Sequence, residues 1–194
     1  MTRGIKSDVK IAAFMVSVFF ALARGLIAQE PAIPHLRKQG KATQLIVNGK
    51  PFLIRGGELG NSSASSLEYM KPVFEKLARM NLNTVLMPVY WEMIEPTEGK
   101  FDFSLVDGLI QEARKNNLKI VPLWFGAWKN SMSTYVPAWV KDDQKRFPRS
   151  KSRGSKGIEI LSAFSDEVLN ADIKAFRSFL RHVRDIDSKE STVI

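Results

Sequence analysis

The sequence predicts an α/β fold in which strands and helices alternate around a parallel sheet. Two short apolar runs, at residues 84–89 and 118–124, have the composition of buried strands. Amphipathic helical patterns precede, separate and follow them, and this alternation is typical of right-handed crossovers that build a parallel sheet. The 194 residues, 44% hydrophobic and 25% charged, have an ordinary globular composition, which excludes a collagen-like or wholly disordered chain.

Residues 1–29 are predicted to be a secretory signal peptide. Arg3, Lys6 and Lys10 precede an apolar run at residues 11–23, and small residues follow it. The run is shorter than the ~20 residues that span a bilayer comfortably, which disfavours an uncleaved anchor. We therefore expect export to the periplasm or the extracellular space, with the membrane met only transiently through the signal peptide.

The chain has no cysteine, so it can form no disulfide and has no thiol nucleophile. Its formal charge is +9, and much of the basic excess lies in residues 141–156, KDDQKRFPRSKSRGSK. Clustered cations can neutralise phosphates, but Phe147 is the single aromatic residue of that segment, and an exported protein seldom meets nucleic acid. A solvated loop is the preferred interpretation, and no nucleic-acid partner is expected.

The first elements are predicted to be a lead-in and a hairpin. Residues 30–43 are expected to form an extended lead-in, because Pro31 and Pro34 oppose helix. Two short arms, at 44–47 and 52–55, flank Asn48-Gly49, and an Asn-Gly pair between apolar runs is a strong hairpin signal. The second arm leads into Gly56-Gly57-Glu58-Leu59-Gly60, where the backbone must turn sharply or approach another group closely.

Three amphipathic helices are predicted to follow. Ser65 and Glu68 form a capping-box pattern for the first helix, and Asp102 or Ser104 is expected to cap the second. Long loops are expected after the strands, at residues 92–103 and from 125 to about 164, and residues 192–194 have the pattern of a fourth strand beginning. The expected apolar faces are Met70, Val73, Phe74, Leu77 and Ala78; then Leu105, Val106, Leu109, Ile110 and Ala113; then Val168, Leu169, Ile173, Phe176, Phe179, Leu180 and Val183.

Both a barrel and an open, doubly wound sheet are compatible with this order of elements. A doubly wound nucleotide-binding sheet usually carries a glycine-rich phosphate loop, but residues 56–60 do not fit G-x-G-x-x-G and no Walker pattern is present. Nucleotide binding is therefore disfavoured, and no cofactor is expected.

Aromatic, amide and carboxylate side chains cluster where the predicted strands end, at residues 57–62, 89–92 and 124–131. In a parallel α/β barrel, ligands bind at these carboxyl ends. Indole rings stack on the apolar faces of sugars, and side chains that donate and accept hydrogen bonds match their hydroxyls. The candidate substrate-binding residues are Glu58, Asn61, Tyr90, Trp91, Glu92, Trp128, Lys129 and Asn130.

Several motifs resemble β-galactosidases of glycoside hydrolase families 35 and 42. Residues 81–85 (NLNTV), Trp91 and residues 95–103 (EPTEGKFDF) are similar, in this order, to the second strand and loop of those enzymes. Residues 136–140 (VPAWV) look like a later element, and residues 47–58 look like the opening of family 35. The resemblance covers residues 44–194. Departures at residues 88–92 and 128–131, where Asn130 falls on the position of a sugar-binding glutamate, indicate a divergent bacterial branch.

The resemblance implies the N-terminal half of a (β/α)₈ barrel over residues 44–194, interrupted within the fourth strand. It also implies a retaining mechanism on terminal β-galactosides or related β-glycosides, in which two carboxylates lie about 5 Å apart. Both glutamates of that mechanism are expected beyond Ile194, so the chain by itself is expected to be inactive. Glu95 is expected to brace its loop, and Glu98 and Asp102 to face solvent or cap a helix. An inactive sugar-binding fragment and an endo-acting β-glycanase of the same clan are the alternatives.

Overall fold

A computed structural model describes residues 33–129, 135–154 and 157–194 of the protein. The predicted signal peptide lies outside the described residues. Within them the strands are β1 His35–Gln39, β2 Ala42–Val47, β3 Lys50–Pro51, β4 Gly56–Glu58, β5 Thr84–Tyr90 and β6 Lys119–Phe125. The helices are α1 Leu67–Arg79, α2 Trp91–Ile94, α3 Ser104–Lys115, α4 Ala138–Asp142 and α5 Asp166–Asp187, with a 3₁₀ turn at Ser63–Ser65. No helix in these ranges is long and apolar enough to span a bilayer.

The first three strands form a small antiparallel sheet in the order β1-β2-β3. Asn48 and Gly49 both have positive φ, at 51° and 74°, which is the geometry of the two-residue turn that the Asn-Gly pair predicts. The lead-in is more than extended chain, however, because β1 pairs with β2 from His35 to Gln39. Gly40, with φ of 59°, makes this second turn possible, and its signal is weaker than that of Asn-Gly.

The second hairpin arm lies earlier than the predicted residues 52–55. It pairs with β2 at Lys50 and Pro51, the Phe52 N–H donates to the Leu45 carbonyl at 2.8 Å, and residues 53–55 leave the sheet. The Asn83 side chain holds them: its Nδ2 donates to the Leu53 carbonyl at 2.9 Å, and its Oδ1 accepts the Arg55 N–H at 2.8 Å. Asn83 therefore guides the chain from the small sheet into β4.

The second sheet is parallel, in the order β4-β5-β6. Gly56 pairs with Thr84, and Thr84 pairs with Lys119. Next to β6, Val193 forms a parallel bridge with Ile120, and the Ile120 N–H donates to the Thr192 carbonyl at 2.7 Å. The expected start of a fourth strand is thus confirmed. Strands that lie side by side in chain order fit a barrel, whereas a doubly wound sheet reverses its order at a switch point.

Helix α1 begins one residue later than predicted, so the Ser65–Glu68 capping box is wrong. Ser63–Ser65 form a 3₁₀ turn in which the Ser65 hydroxyl donates to the Ser62 carbonyl at 2.8 Å. Ser66 is the cap instead, and its hydroxyl accepts the Tyr69 N–H at 3.3 Å. In a run of serines the local pattern does not identify which one caps, because each hydroxyl can make such a bond.

The main core lies between the parallel sheet and its helices. Helix α1 buries Met70 and Phe74, and α3 buries Leu109 and Ile110, so both predicted apolar faces are confirmed. Helix α5 differs from its prediction. It buries Val168, Ala175, Phe179 and Val183, whereas four residues of the predicted face are exposed: Leu169, Ile173, Phe176 and Leu180.

A second core supports the long segment after β6. Trp91, Ala127, Val136, Val140, Phe147, Leu161, Val168 and Ala175 form its buried cluster. A segment predicted as a solvated loop therefore has an interior of its own, in which Phe147 is fully buried. This interior fixes where the loop lies over the carboxyl ends of the strands.

The buried carboxylate of Asp187 joins α3, α5 and the segment after α5. It accepts a hydrogen bond from Arg114 Nη2 at 2.8 Å and from the Val193 N–H at 2.7 Å. Arg114 Nε also donates to the Thr192 hydroxyl at 3.0 Å. The side chain of Asp187 is 3% exposed, so these hydrogen bonds and the ion pair offset the free-energy cost of burying its carboxylate.

Asp187→Asn is expected to lower the free energy of unfolding by about 2 kcal/mol, because a half-buried Arg114 loses its charged partner. Urea denaturation followed by circular dichroism measures the change. The matched control is Asp185→Asn, which removes an exposed ion pair with Arg184 and should cost less than about 0.5 kcal/mol. Equal losses in the two variants would contradict the role given to Asp187.

Candidate functional site

The parallel register brings three loops to one edge of the sheet. β5 and β6 end together, since Tyr90 pairs with Phe125, and β4 ends where Glu58 pairs with Leu86. Residues 59–66, 91–103 and 126–165 all leave from this edge. The strand ends that the sequence singles out therefore share one face, which in parallel α/β barrels is the face that binds ligands.

Glu95 is the internal brace of the loop after β5. It is 1% exposed, its Oε2 accepts the Trp91 indole N–H at 2.9 Å, and its Oε1 accepts the Gly99 N–H at 2.7 Å. Its backbone carbonyl accepts the Trp139 indole N–H at 3.0 Å. The expectation that Glu95 braces the loop is confirmed. Because both carboxylate oxygens accept hydrogen bonds within the loop, we assign Glu95 a structural role in the loop after β5.

Trp91, a candidate for sugar stacking, lies inside the protein. It is fully buried, and its ring meets that of Trp139 edge to face with centroids 5.8 Å apart. The residue starts helix α2, so its side chain turns inward onto the second core instead of continuing the strand. Its indole is therefore unavailable as an exposed stacking surface.

Tyr90 is also buried, with 3% of its surface exposed. Its ring stacks on Tyr135 at 5.4 Å and meets Phe125 edge to face at 5.7 Å. Its phenol oxygen accepts the Ala64 N–H at 3.1 Å, which ties the loop after β4 to the end of β5. Burial raises the pKa of Tyr90 from 10.0 to about 12, because the phenolate would have to form away from water.

Asp172 of α5 anchors the loop after β6. One carboxylate oxygen accepts the Trp124 indole N–H at 2.7 Å, and the other accepts the Ala127 N–H at 2.9 Å. Gly126 lies directly against this group, and a Cβ at that position would overlap the Asp172 carboxylate and the Trp124 indole nitrogen. Glycine is required here by space, since the backbone of the loop passes over a hydrogen-bonded carboxylate.

Beyond this anchor, Trp128 and Lys129 form the accessible part of the loop. Trp128 is 46% exposed, and the Lys129 ammonium lies 4.3 Å from the centroid of the Phe125 ring. The ring attracts the ammonium electrostatically, and this contact fixes the direction of the lysine side chain. Asn130, the next candidate, lies outside the described residues.

Glu92 and Lys141 connect the loops after β5 and β6. Lys141 Nζ lies 3.0 Å from Glu92 Oε2, and the Glu92 N–H donates to the Tyr135 carbonyl at 3.0 Å. The Glu92 side chain is 36% exposed, so its second oxygen remains near solvent. Glu58 is exposed and Asn61 is partly exposed at the neighbouring strand end.

The other acidic residues of the loop after β5 have structural partners. Arg146 pairs with Glu98 at 2.9 Å, and this hydrogen bond lowers the pKa of Glu98. Asp102 Oδ1 accepts the Ser104 N–H at 2.9 Å, and hydrogen bonds from Ser104 lower the pKa of Asp102. Both are exposed, so the expectation that they face solvent is confirmed. The expected cap of α3 by Asp102 or Ser104 is wrong, because Phe103 occupies the N-cap position and no side chain caps this helix. Within the described ranges, no group of three or more His, Asp or Glu side chains could hold a metal.

Sequence reasoning missed the side chains that position this edge. Asp172 lies on an amphipathic helix among other acidic residues, and nothing in its spacing distinguishes it. Tyr135 carries a weak signal, an aromatic residue just before the recognised 136–140 element, and its hydroxyl lies 3.3 Å from the Ser62 hydroxyl. Lys141 belongs to the basic segment of residues 141–156, and nothing in the sequence distinguishes it from the other cations there. These partners are defined by long-range contacts, which a local pattern does not contain.

Tyr90→Phe is expected to change how stability depends on pH between about 10 and 12. The unfolded chain ionises Tyr90 near 10.0, whereas the folded chain keeps it neutral to about 12, so the native protein loses stability as pH rises through this window. The wild-type free energy of unfolding should fall by about 2 to 3 kcal/mol relative to the variant.

Urea denaturation of both proteins at several pH values measures this difference. Tyr69→Phe, which changes a tyrosine that is 60% exposed, is the matched control. A constant difference between wild type and Tyr90→Phe across the window would contradict the burial argument.

Comparisons with known proteins agree with this geometry. A family model described as β-galactosidase, of glycoside hydrolase family 42, matches residues 64–156. A β-galactosidase of Xanthomonas manihotis is 29% identical over 170 residues, which cover 84% of this chain and 26% of that protein. β-Galactosidase 11 of Arabidopsis thaliana is 27% identical over 118 residues, covering 59% of this chain and 14% of that protein.

A solved structure supports the fold. The exo-β-1,4-mannosidase Op5Man5 from Opitutaceae bacterium strain TAV5 superposes with a TM-score of 0.50 at 17% identity, over 72% of this chain and 23% of that chain. The chain spans about a quarter of the length of that mannosidase and of the Xanthomonas enzyme. The described strands and helices have the fold of part of a (β/α)₈ barrel, and in sequence the chain is similar to β-galactosidases.

Proposed function

We propose that this chain forms the sugar-binding part of a glycoside hydrolase that acts on terminal β-galactosides or related β-glycosides. The observation that carries the proposal is the shared edge at the carboxyl ends of β4, β5 and β6, where Glu58, Glu92 and Trp128 are accessible in a chain related to β-galactosidases. An exposed indole provides a surface for the apolar face of a sugar, and the carboxylates can accept hydrogen bonds from its hydroxyls.

The proposed reaction is a retaining double displacement, which needs a carboxylic acid and a carboxylate about 5 Å apart. Several carboxylates near the described edge already have structural partners. Glu95 braces its loop with both oxygens, Asp172 does the same for the next loop, and Glu98 is paired with Arg146. These engagements support placing the acid/base and the nucleophile outside residues 1–194, so that this chain binds sugar without cleaving it.

We also propose that the protein acts outside the cytoplasm. The support is the sequence pattern of residues 1–29, with its basic start and its apolar run at 11–23.

The test is calorimetric titration of the 194-residue chain with methyl β-galactoside, together with its β-glucoside and β-mannoside counterparts. We expect millimolar binding of the galactoside, and about tenfold weaker binding after Trp128→Ala, because the stacking surface is lost. Leu180→Ala is the matched control, since Leu180 is a similarly exposed apolar residue, 47% exposed, that is not among the candidate sugar-binding residues. A chromogenic β-galactoside should show no turnover with this chain.

Two results would overturn the proposal. Absence of binding of all three glycosides would exclude a sugar site at this edge. Equal losses in Trp128→Ala and Leu180→Ala would show that the indole does not contact the sugar.

A further inference from the structure

The basic segment after α4 folds back on itself as a short hairpin. Arg149 and Leu161 form an antiparallel bridge, the Ser162 N–H donates to the Pro148 carbonyl at 2.8 Å, and the Ser150 N–H donates to the Ile160 carbonyl at 2.8 Å. Leu161, which is fully buried, anchors the base of the hairpin in the second core. Part of this segment, predicted as a solvated loop, therefore has a defined shape.

A solvent-open pocket of about 590 Å³ lies beside the base of this hairpin. Its volume falls within the range of small-molecule sites, roughly 300 to 1,000 Å³. Its described lining residues are Gln144, Pro148, Arg149, Lys151, Gly157, Ile158 and Glu159. We call it the basic pocket.

Arg149 of the basic pocket is incompletely hydrogen-bonded. Its Nη2 donates to the Lys141 carbonyl at 3.2 Å, whereas its Nη1 is buried and has no hydrogen-bond partner in the described part of the chain. The guanidinium therefore makes fewer hydrogen bonds within the described part of the chain than its five N–H donors allow.

The charges of the basic pocket favour an anionic group. Arg149 and Lys151 provide two positive charges against one carboxylate, that of Glu159. A guanidinium is planar, and its N–H groups can bond two oxygens of a carboxylate or a sulfate at once. Hydrogen bonds between charged groups are stronger than those between neutral groups. No aromatic side chain belongs to the part of the lining that the structure describes, so the bases of a nucleic acid would have nothing to stack on there.

Lys141 connects the basic pocket to the candidate sugar site. Arg149 donates to the carbonyl of Lys141, and the ammonium of Lys141 lies 3.0 Å from Glu92 at the carboxyl end of β5. The whole segment also belongs to the connection between β6 and α5, which leaves the ligand-binding edge of the sheet. A glycan held at this edge can therefore extend towards Arg149.

We propose that the basic pocket is a subsite for an anionic substituent of the glycan, either a uronic acid carboxylate or a sulfate ester, with Arg149 and Lys151 as the binding groups. The inference rests on the proposed function and deepens it by naming a charged class of β-galactoside-containing polysaccharide as the substrate.

Calorimetric titration of the 194-residue chain tests the inference with three oligosaccharides of equal length. They are a neutral β-galacto-oligosaccharide, the same sugar with one sulfate ester, and the same sugar with a terminal uronic acid. We expect roughly tenfold tighter binding of an anionic sugar than of the neutral one, the effect of one charge-assisted hydrogen bond. A preference for the sulfated or the uronic acid sugar identifies which anion the pocket takes.

Matched substitutions separate the basic pocket from general charge attraction. Arg149→Gln and Lys151→Gln should each abolish the preference for the anionic sugars, and Glu159→Gln should strengthen it severalfold. Lys145→Gln removes the same charge from an exposed residue of the same segment that does not line the pocket, and it should leave the preference intact. Lys151→Gln keeps the test valid if Arg149→Gln fails to fold.

Three results would overturn the inference: equal binding of neutral and anionic sugars, equal effects of Lys145→Gln and Lys151→Gln, or tighter binding of a single-stranded oligonucleotide than of either anionic sugar. Failure to bind any of the sugars would instead count against the proposed function, so the two failures are distinguishable.

Discussion

Seven residue pairs join β5 to β6 in parallel register, from Thr84 with Lys119 to Tyr90 with Phe125, and the positions of the site residues depend on this pairing. Parallel strands require crossovers, so every connection that begins at the carboxyl ends must start on the same side of the sheet. The loops that carry Glu92 and Trp128 are therefore neighbours although they are distant in sequence. Strand β4, which ends at Glu58, extends the parallel sheet on the β5 side. The bridge between Val193 and Ile120 extends it on the β6 side.

Long loops at one edge need interiors of their own, and in this chain buried or half-buried carboxylates organise them. Glu95 joins two indoles and a backbone amide, and Asp172 joins an indole and a backbone amide. Each group is fully hydrogen-bonded, which makes a buried polar network stable and specific. The buried carboxylates and aromatic rings therefore have a structural role, because they hold the loops at the carboxyl ends of the strands. Trp128, Glu58 and Glu92 remain accessible to a ligand.

The parts that the sequence predicted correctly are those that local chemistry determines. Asn48-Gly49 imposes its own turn, periodic apolar residues define α1 and α3, and Thr192 to Ile194 has the composition of a strand.

The errors arise where tertiary contacts decide. His35–Gln39 becomes a strand because β2 offers it a partner, Ser66 replaces Ser65 as a cap because a 3₁₀ turn precedes it, and Trp91 is buried because helix α2 turns its indole inward. Asp172 has no local signal, since its partners lie 45 and 48 residues away.

The most direct measurement of the central claim is a two-dimensional ¹H–¹⁵N spectrum of the indole N–H groups during titration with methyl β-galactoside. The chain has four tryptophans, and the indoles of Trp91, Trp124 and Trp139 are hydrogen-bonded to Glu95, Asp172 and the Glu95 carbonyl. The account requires the Trp128 resonance to shift with added sugar while the other three stay nearly constant. A titration in which Trp128 does not move, or in which Trp91 moves more, would contradict it.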